Sequence, residues 1–568
     1  MSLFGSIQMA GNTLQAMQIG LHVVGNNIAN ANTPGFVREE AVYVPAGVQK
    51  QGHLILGLGV KVDSIVQKID KFVQARLVAA RGDRAGAEAK EQVYRELESL
   101  LNELSSSEDL SSSLTGFFNA VDEVLKDPGN VATRNLAVGK GISLTEDINN
   151  LYGRVTDVRQ ELDDRVTVVA DEINSLSEQV RQLNVQIATS EGGNSSASEA
   201  GGLRVLRQTA VDHLSELIGI QIEEQPSGGL SVAVGGEFLV FEGQRREVSV
   251  STTSLDGIAS GIIEFSDTHS SINTTSGELS GLYAARDEIA AGVLSKLDDL
   301  AGTLAFEFNK VYSQGQGLIG FDQLTSIEAV LDSTAALDAA GLPFTPVSGT
   351  FDLLVHSKED NLTRTQSISI ELHGLDEDTT LADVAAQLDA VDGISASVTI
   401  TGQLQLSADS TDIDIAFSGD TSGLLAALGL NTFFTGSTAA SLGVNDELKG
   451  ISNAGRFAAS LGGIGEDSRN AERLSAFLDQ PIDSVGGASL ADLYNQLINE
   501  VSQGSSVAQA VADGFRTFEG SLESQQQAVG GVSIDEEAVK MLTLQRIFQA
   551  SAKYIQTLSD LLDLLVKL

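Results

Sequence analysis

The chain has 568 residues, 42% of them apolar, with 35 basic against 77 acidic side chains for a formal net charge of −42. At about 150 residues per domain the length suggests three or four domains, and the apolar fraction excludes wholesale disorder. The acidity argues against a nucleic-acid partner and against an anionic membrane surface. Cysteine is absent, which removes disulfides, thiolate nucleophiles and Cys-type metal sites together.

The charge is unevenly placed. Residues 1–37 contain no Asp, Glu, Lys or Arg, and the first ionic side chain is Arg38. This segment has neither the positive start nor the continuous apolar run of a secretory signal. Nowhere does the chain approach the ~18 uninterrupted apolar residues of a membrane span. Leu3, Ile7, Ala10, Leu14, Met17, Leu21, Val24 and Ile28 follow spacings of four and three, which predicts a helix with one apolar seam. Gly5, Gly11, Gly20 and Gly25 each weaken that helix by about 0.5–1 kcal/mol relative to Ala. Such a helix is marginal alone and needs a partner to order. It is followed by Asn26-Asn27-Ile28-Ala29-Asn30-Ala31-Asn32-Thr33-Pro34-Gly35-Phe36-Val37-Arg38, a helix stop: Asn tolerates left-handed backbone, Pro34 sets φ, and Gly35 suits the third position of a type II turn.

Further along, residues 85–126 read as a helix ending at Asp127-Pro128-Gly129-Asn130. A long stripe then runs from Val155 through Leu162, Val166, Val169, Ile173 and Val180 to Ile187 before a Gly/Ser loop at 191–196. Leu230–Val234 alternates, meets Gly235-Gly236 and resumes at Phe238 and Val240, which predicts a β-hairpin near 228–250. Another helix is expected over 281–313. Between 321 and 450 the stripes give way to short alternating runs around Phe351–Val355, Ser367–Leu372 and Ala396–Ile400, with a short helix near Leu381–Leu388. This texture predicts an α+β insertion, and it is acidic, with 20 carboxylates against 3 basic residues. Residues 490–529 carry the stripe Leu497, Val501, Ala508, Val511, Phe515, Phe518 and Leu522.

The last helix starts at a capping pattern, Ser533 with Glu536, and carries a second seam: Met541, Leu544, Phe548, Ser551, Ile555, Leu558, Leu562 and Leu565. At 1.5 Å per residue both terminal seams span roughly 36–38 Å. Either they pair with each other, making everything between them one long insertion, or each packs into an ordinary core.

The segment Asn26–Arg38 resembles the N-terminal signature of the bacterial flagellar rod, hook and hook-associated proteins. Its Thr33-Pro34-Gly35-Phe36-Val37-Arg38 end is most similar to the hook-associated branch, with Phe36 where Tyr is common and Val37 where Ser is common. Gly57–Val62, Asp70–Phe72, Val532–Glu537 and Gln549–Lys553 are similar to further blocks of the family. The resemblance implies a structural adaptor that forms the first junction ring between hook and filament. Its implied partners are copies of itself, the hook protein, the second junction protein, and a cytosolic export chaperone on the C-terminal helix. It also implies an extracellular flagellar location, reached by type III export without a cleaved signal. A hook or rod protein, or a secreted binding protein acting through the insertion, is the alternative.

The expected architecture is mainly α with β. Terminal coiled-coil helices (1–60 and 530–568) form an assembly domain. A long helical bundle with a β-hairpin (61–320 and 451–529) carries an inserted α+β outer domain (321–450).

Gly315-Gln316-Gly317-Leu318-Ile319-Gly320 matches a dinucleotide fingerprint but follows a helix instead of a strand. The six histidines never approach metal-ligand spacing, and Asp409, Asp412, Asp414 and Asp420 lack the form of a calcium loop. The expectation is no catalytic, cofactor or metal site.

Overall fold

The computed structural model describes residues 3–566 apart from 52, 104–109, 192–198, 256–257 and 375–377. Most of the 191–196 loop expected from the sequence therefore lies outside the described residues. In chain order the first elements are α1 (Leu3–Ala29), β1 (Glu39–Pro45), β2 (Val48–Gln51), β3 (Leu54–Gly57), β4 (Val60–Gln67), α2 (Lys71–Glu103), α3 (Leu110–Lys126), α4 (Val131–Glu191) and α5 (Gly201–Leu217). Next come β5 (Gln221–Glu224), β6 (Leu230–Val234), β7 (Glu237–Phe241), β8 (Gln244–Arg245), β9 (Val248–Leu255), β10 (Ile258–Phe265), α6 (Glu278–Ala284), a π-helical turn at Ala285–Ala290, and α7 (Ala291–Tyr312). The insertion holds β11 (Gln323–Thr325), β12 (Gly349–Ser357), β13 (Leu362–Ile370), α8 (Leu381–Asp389), β14 (Ile394–Val398), β15 (Leu404–Ala408), β16 (Ile413–Ser418) and α9 (Leu424–Leu428). The chain closes with β17 (Phe434–Thr435), β18 (Gly443–Val444), α10 (Arg469–Ser475), α11 (Leu490–Gly530) and α12 (Ile534–Val566). Within the expected 85–126 helix, the described residues are helical in α2 up to Glu103 and in α3 from Leu110, and 104–109 lie outside the described residues.

Two compact units share the chain. The first comprises Met1–Gln92, Glu161–Asp287 and Ser506–Leu568. Here the second part of α4 buries Val166, Val169, Ile173, Val180, Leu183 and Ile187, a spacing that keeps one face apolar over many turns. The sheet β5–β6–β7–β8 lies beside it. Its β6–β7 turn uses Gly235 and Gly236 at φ 59° and 87°, the two positive values that a primed hairpin turn needs. Asn184 on α4 clips the sheet on, donating to Leu230 O at 2.7 Å and Glu242 O at 2.8 Å while accepting from Leu230 N at 2.9 Å. Arg207 also donates to its Oδ1 at 2.9 Å, and a buried amide with all its bonds made is far cheaper than one with none.

One expected stripe is turned in this unit. Val511 and Phe518 of α11 are 45% and 42% exposed, whereas Ala512 and Glu519 are buried. The cause is ionic. Glu519 accepts from Arg81 Nε at 3.3 Å and from Arg84, and Arg81 also meets Asp212 at 2.5 Å and Glu523 at 3.3 Å. Arg516 bridges Glu88 and Glu91, each at 2.7 Å. The face of α11 that meets α2 is held by charge pairs, so part of its apolar stripe faces water.

The second unit comprises Val93–Gln160 and Glu288–Ser505. Phe117, Phe118, Phe308, Phe433, Phe434, Phe457 and Phe477 interlock with Tyr312, with ring centroids 4.8–6.3 Å apart. The insertion has its own apolar core, running from Phe321 to Leu430. It is built on β13–β12–β16 and β11–β15–β14, with α8 buried through Leu381, Val384 and Leu388. Asn309 receives the returning chain: its Oδ1 accepts from Phe433 N and Phe434 N at 3.0 Å, and its Nδ2 donates to Phe434 O at 2.9 Å.

Candidate assembly site

The terminal helices α1 and α12 pack along each other. Leu544 lies against Gly20 and Glu537 against Asn27, so the pair is antiparallel. On α1, Met17 and Val24 are buried, while Leu3, Ile7, Leu14, Leu21 and Ile28 are half-buried. On α12, Leu558 is buried, and Met541, Leu544, Phe548, Ile555 and Leu562 are half-buried. The side chain of Leu565 lies outside the described residues.

A second face of α1 is buried as well, through Ala16, Gly20, Val23 and Asn27. It packs on the two-stranded β1–β4 ribbon. A Cβ on Gly20 would overlap the Tyr43 hydroxyl, and Asn12 Nδ2 donates to Leu58 O at 2.9 Å. The glycines that cost α1 helix propensity therefore include one that admits a neighbour closely.

The Asn-rich loop is a worked joint. Asn30 Nδ2 donates to Asn26 O at 3.0 Å, closing α1, and Thr33 Oγ1 donates to Asn30 Oδ1 at 3.3 Å. Phe36 N donates to Thr33 O at 3.2 Å with Gly35 at φ 72°, which is the turn that Pro34-Gly35 favours. Phe36 is half-buried, whereas Ala29, Asn32, Thr33 and Pro34 are exposed.

Two motif residues, Asn27 and Arg38, converge on α12. Asn27 Nδ2 donates to Glu537 Oε2 at 3.0 Å and to Glu39 O at 2.9 Å, while its Oδ1 accepts from Glu39 N at 3.0 Å. Arg38 reaches Glu537 at 3.0 Å and Glu536 at 3.3 Å, and its N donates to Gly530 O at 2.9 Å. Asn26 Nδ2 donates to Glu39 Oε2 at 3.2 Å. Glu537 is fully buried and lies in the first turn of α12, where a carboxylate also complements the helix dipole. Nearby, the Lys68 ammonium holds the Glu40 carboxyl below its ordinary value, and burial pushes the Tyr43 hydroxyl up. What the arrangement does is lock the two chain ends into one body. Among the described residues no group of His, Asp or Glu could hold a metal ion.

Family models cover both halves of this joint. The flagellar hook-associated protein FlgK helical-domain model matches residues 94–324, the flagella basal body rod protein model 7–36, and the flagellar basal body rod FlgEFG protein C-terminal model 526–568. Curated relatives called flagellar hook-associated protein 1, from Escherichia coli K12 and Salmonella typhimurium LT2, are each 24% identical, with 99% of this chain and 99% of the relative covered. The Bacillus subtilis relative of that name is also 24% identical, over 99% of this chain and 97% of its own length. Along nearly its whole length the chain is similar to proteins called flagellar hook-associated protein 1. Its fold is like that of the flagellar hook junction protein FlgK from Burkholderia pseudomallei, with a TM-score of 0.53 and 14% identity over 80% of this chain and 100% of that one.

Sequence reasoning singled out Asn27 and Arg38 but missed their shared acceptor, Glu537. The available signal was its place in the Val532–Glu537 block, one residue after the capping Glu536. The β1–β4 ribbon was missed too. Its burial does not alternate, because α1 covers only Ala41 fully while Val42 and Tyr43 stay exposed.

Proposed function

We propose that this chain is a structural adaptor of the bacterial flagellum, polymerising as the first junction ring between hook and filament. The observation that carries this reading is the end-to-end match to proteins called hook-associated protein 1, which includes both termini. The paired termini agree with it. Phe4 on α1 and Leu542, Leu561 and Leu564 on α12 remain exposed in a segment pair that carries little net charge. Exposed apolar stripes of this kind are surfaces for other subunits. The partners are further copies of this chain, the hook protein below and the second junction protein above. An export chaperone covers α12 before secretion through the flagellar type III apparatus. The role is mechanical and involves no catalysis.

Deleting the gene tests the reading by electron microscopy. Hooks lacking filaments, with filament subunits released into the medium, are expected. Filaments of normal length and number would overturn it.

A further inference from the structure

Two features of the first unit find no use within one copy. One is the β2–β3 hairpin, in which Val48, Leu54 and Ile55 are 68%, 67% and 69% exposed. Between Ala46 and Lys61 the chain carries Lys50, His53 and Lys61 and no carboxylate, a cationic apolar finger on a chain of net charge −42. The hairpin sits at the N-terminal end of α1, where a Cβ on Gly5 would run into the Gln49 side chain.

The other is an open cleft of about 670 Å³ between the Thr33–Arg38 loop, the C-terminal end of α11 and the start of α12. It lies at the opposite end of α1, roughly 40 Å along at 1.5 Å per residue. Its wall is largely polar, with Val37, Leu77 and Val532 as apolar points within it. Its charges are layered. Arg38 is 18% exposed beneath Glu536 at 63%, and Arg81 is 16% exposed beneath Glu523 at 45%. The guanidinium groups are covered and the carboxylates face water, so the rim presents negative charge.

We propose that the β2–β3 hairpin of one copy seats in this cleft of the next copy. Leu54 and Ile55 meet Val37, Leu77 and Val532, and Lys50 meets the Glu523 and Glu536 rim. The inference rests on the junction-ring reading and names the contact through which copies stack. Two different patches at opposite ends of one helix make a heterologous interface, which propagates copies head to tail instead of closing a dimer. The hairpin is cationic and the exposed rim of the cleft is anionic, so the two patches are complementary in charge. A two-stranded hairpin is also marginal alone and gains a supporting surface by docking.

The absence of native cysteine makes the test clean. The double variant Leu54→Cys with Gln527→Cys, oxidised in assembled flagella, should give a ladder of disulfide-linked multimers that neither single variant gives. Unchanged far-UV circular dichroism of each purified variant keeps folding separate from contact. Lys50→Glu should cut the fraction of filament-bearing cells about tenfold, with recovery on adding Glu536→Lys. No ladder, with the chain still found at the junction by immunogold labelling, would overturn the hairpin-in-cleft contact and leave the junction reading standing. Absence of the chain from the junction would overturn both.

Discussion

Asn27 and Glu537 are 510 positions apart in sequence and share a buried hydrogen bond of 3.0 Å. The same Asn27 amide pairs with both backbone groups of Glu39, so one side chain ties α1, β1 and α12 together. Replacing Glu537 by Ala leaves Asn27 short of an acceptor and Arg38 with only Glu536. The expected loss is about 1.5–3 kcal/mol, the range for hydrogen bonds to a charged group. It should appear as faster hydrogen exchange of α1 backbone amides, with Glu537→Gln intermediate because it keeps an acceptor for Asn27. Unchanged exchange in Glu537→Ala would show that the clasp does not hold the ends.

Gly59 is a second point where the termini depend on one atom. It has φ 87°, and a Cβ there would come within 2.7 Å of Met9 O, on the backbone of α1. Backbone cannot move aside as a flexible side chain can. Gly59→Ala should therefore cost about 1–3 kcal/mol through strain and clash together. Limited proteolysis is the check, with earlier cleavage near residues 45–60 expected. Gly11→Ala is the control: nothing lies within 4 Å of its Cβ position, so it should be neutral or stabilising.

The charge network between α2 and α11 separates buried from exposed pairs. Glu519 is buried and accepts from two arginines, so Glu519→Ala should destabilise the first unit by about 3 kcal/mol. Glu523 is 45% exposed and Arg81 keeps Asp212 and Glu519 without it, so Glu523→Ala should cost about 0.2–1 kcal/mol. Denaturant unfolding of both variants tests the contrast, and equal losses would contradict it.

Acid sensitivity should centre on Arg204. Burial pushes the Glu191 carboxyl up, but the Arg204 fork at 2.8 and 2.9 Å and the Ala200 N–H outweigh it and hold the group below 4.5. Glu224 is likewise opposed by burial and held down by Lys71 and Arg204. A depressed carboxyl contributes stability that is present above its unfolded value and lost as pH falls through its folded one. Melting temperature should therefore drop below about pH 4.5, and Arg204→Ala should flatten that limb. Asp212 runs the other way: burial raises it despite Arg81, so acidification relieves its cost. A steep acid limb persisting in Arg204→Ala would assign the sensitivity elsewhere.

Much of this was legible in one sequence because local periodicity is a local property. The seam of Met17 and Val24, the Gly235-Gly236 turn and the short helix at Leu381 each follow from residues near one another in the chain. So does the joint after α1, where Pro34 and Gly35 dictate a turn whatever lies around it. The α11 stripe was misread at Val511 and Phe518 for the opposite reason. Which face of a helix is covered depends on what the neighbouring helix offers, and α2 offers Arg81 and Arg84.

By itself the sequence determined that two nearly uncharged seams bracket an acidic chain and that the Asn26–Arg38 segment ends the first of them. Helix spacing, turn chemistry and charge placement are written residue by residue. Only the tertiary structure decided that Glu537 is the shared acceptor of Asn27 and Arg38, and that Arg38 lies beneath Glu536 at the rim of a cleft. Those relations join positions some 500 residues apart. A buried carboxylate and an exposed one look alike in a sequence, and packing alone tells them apart.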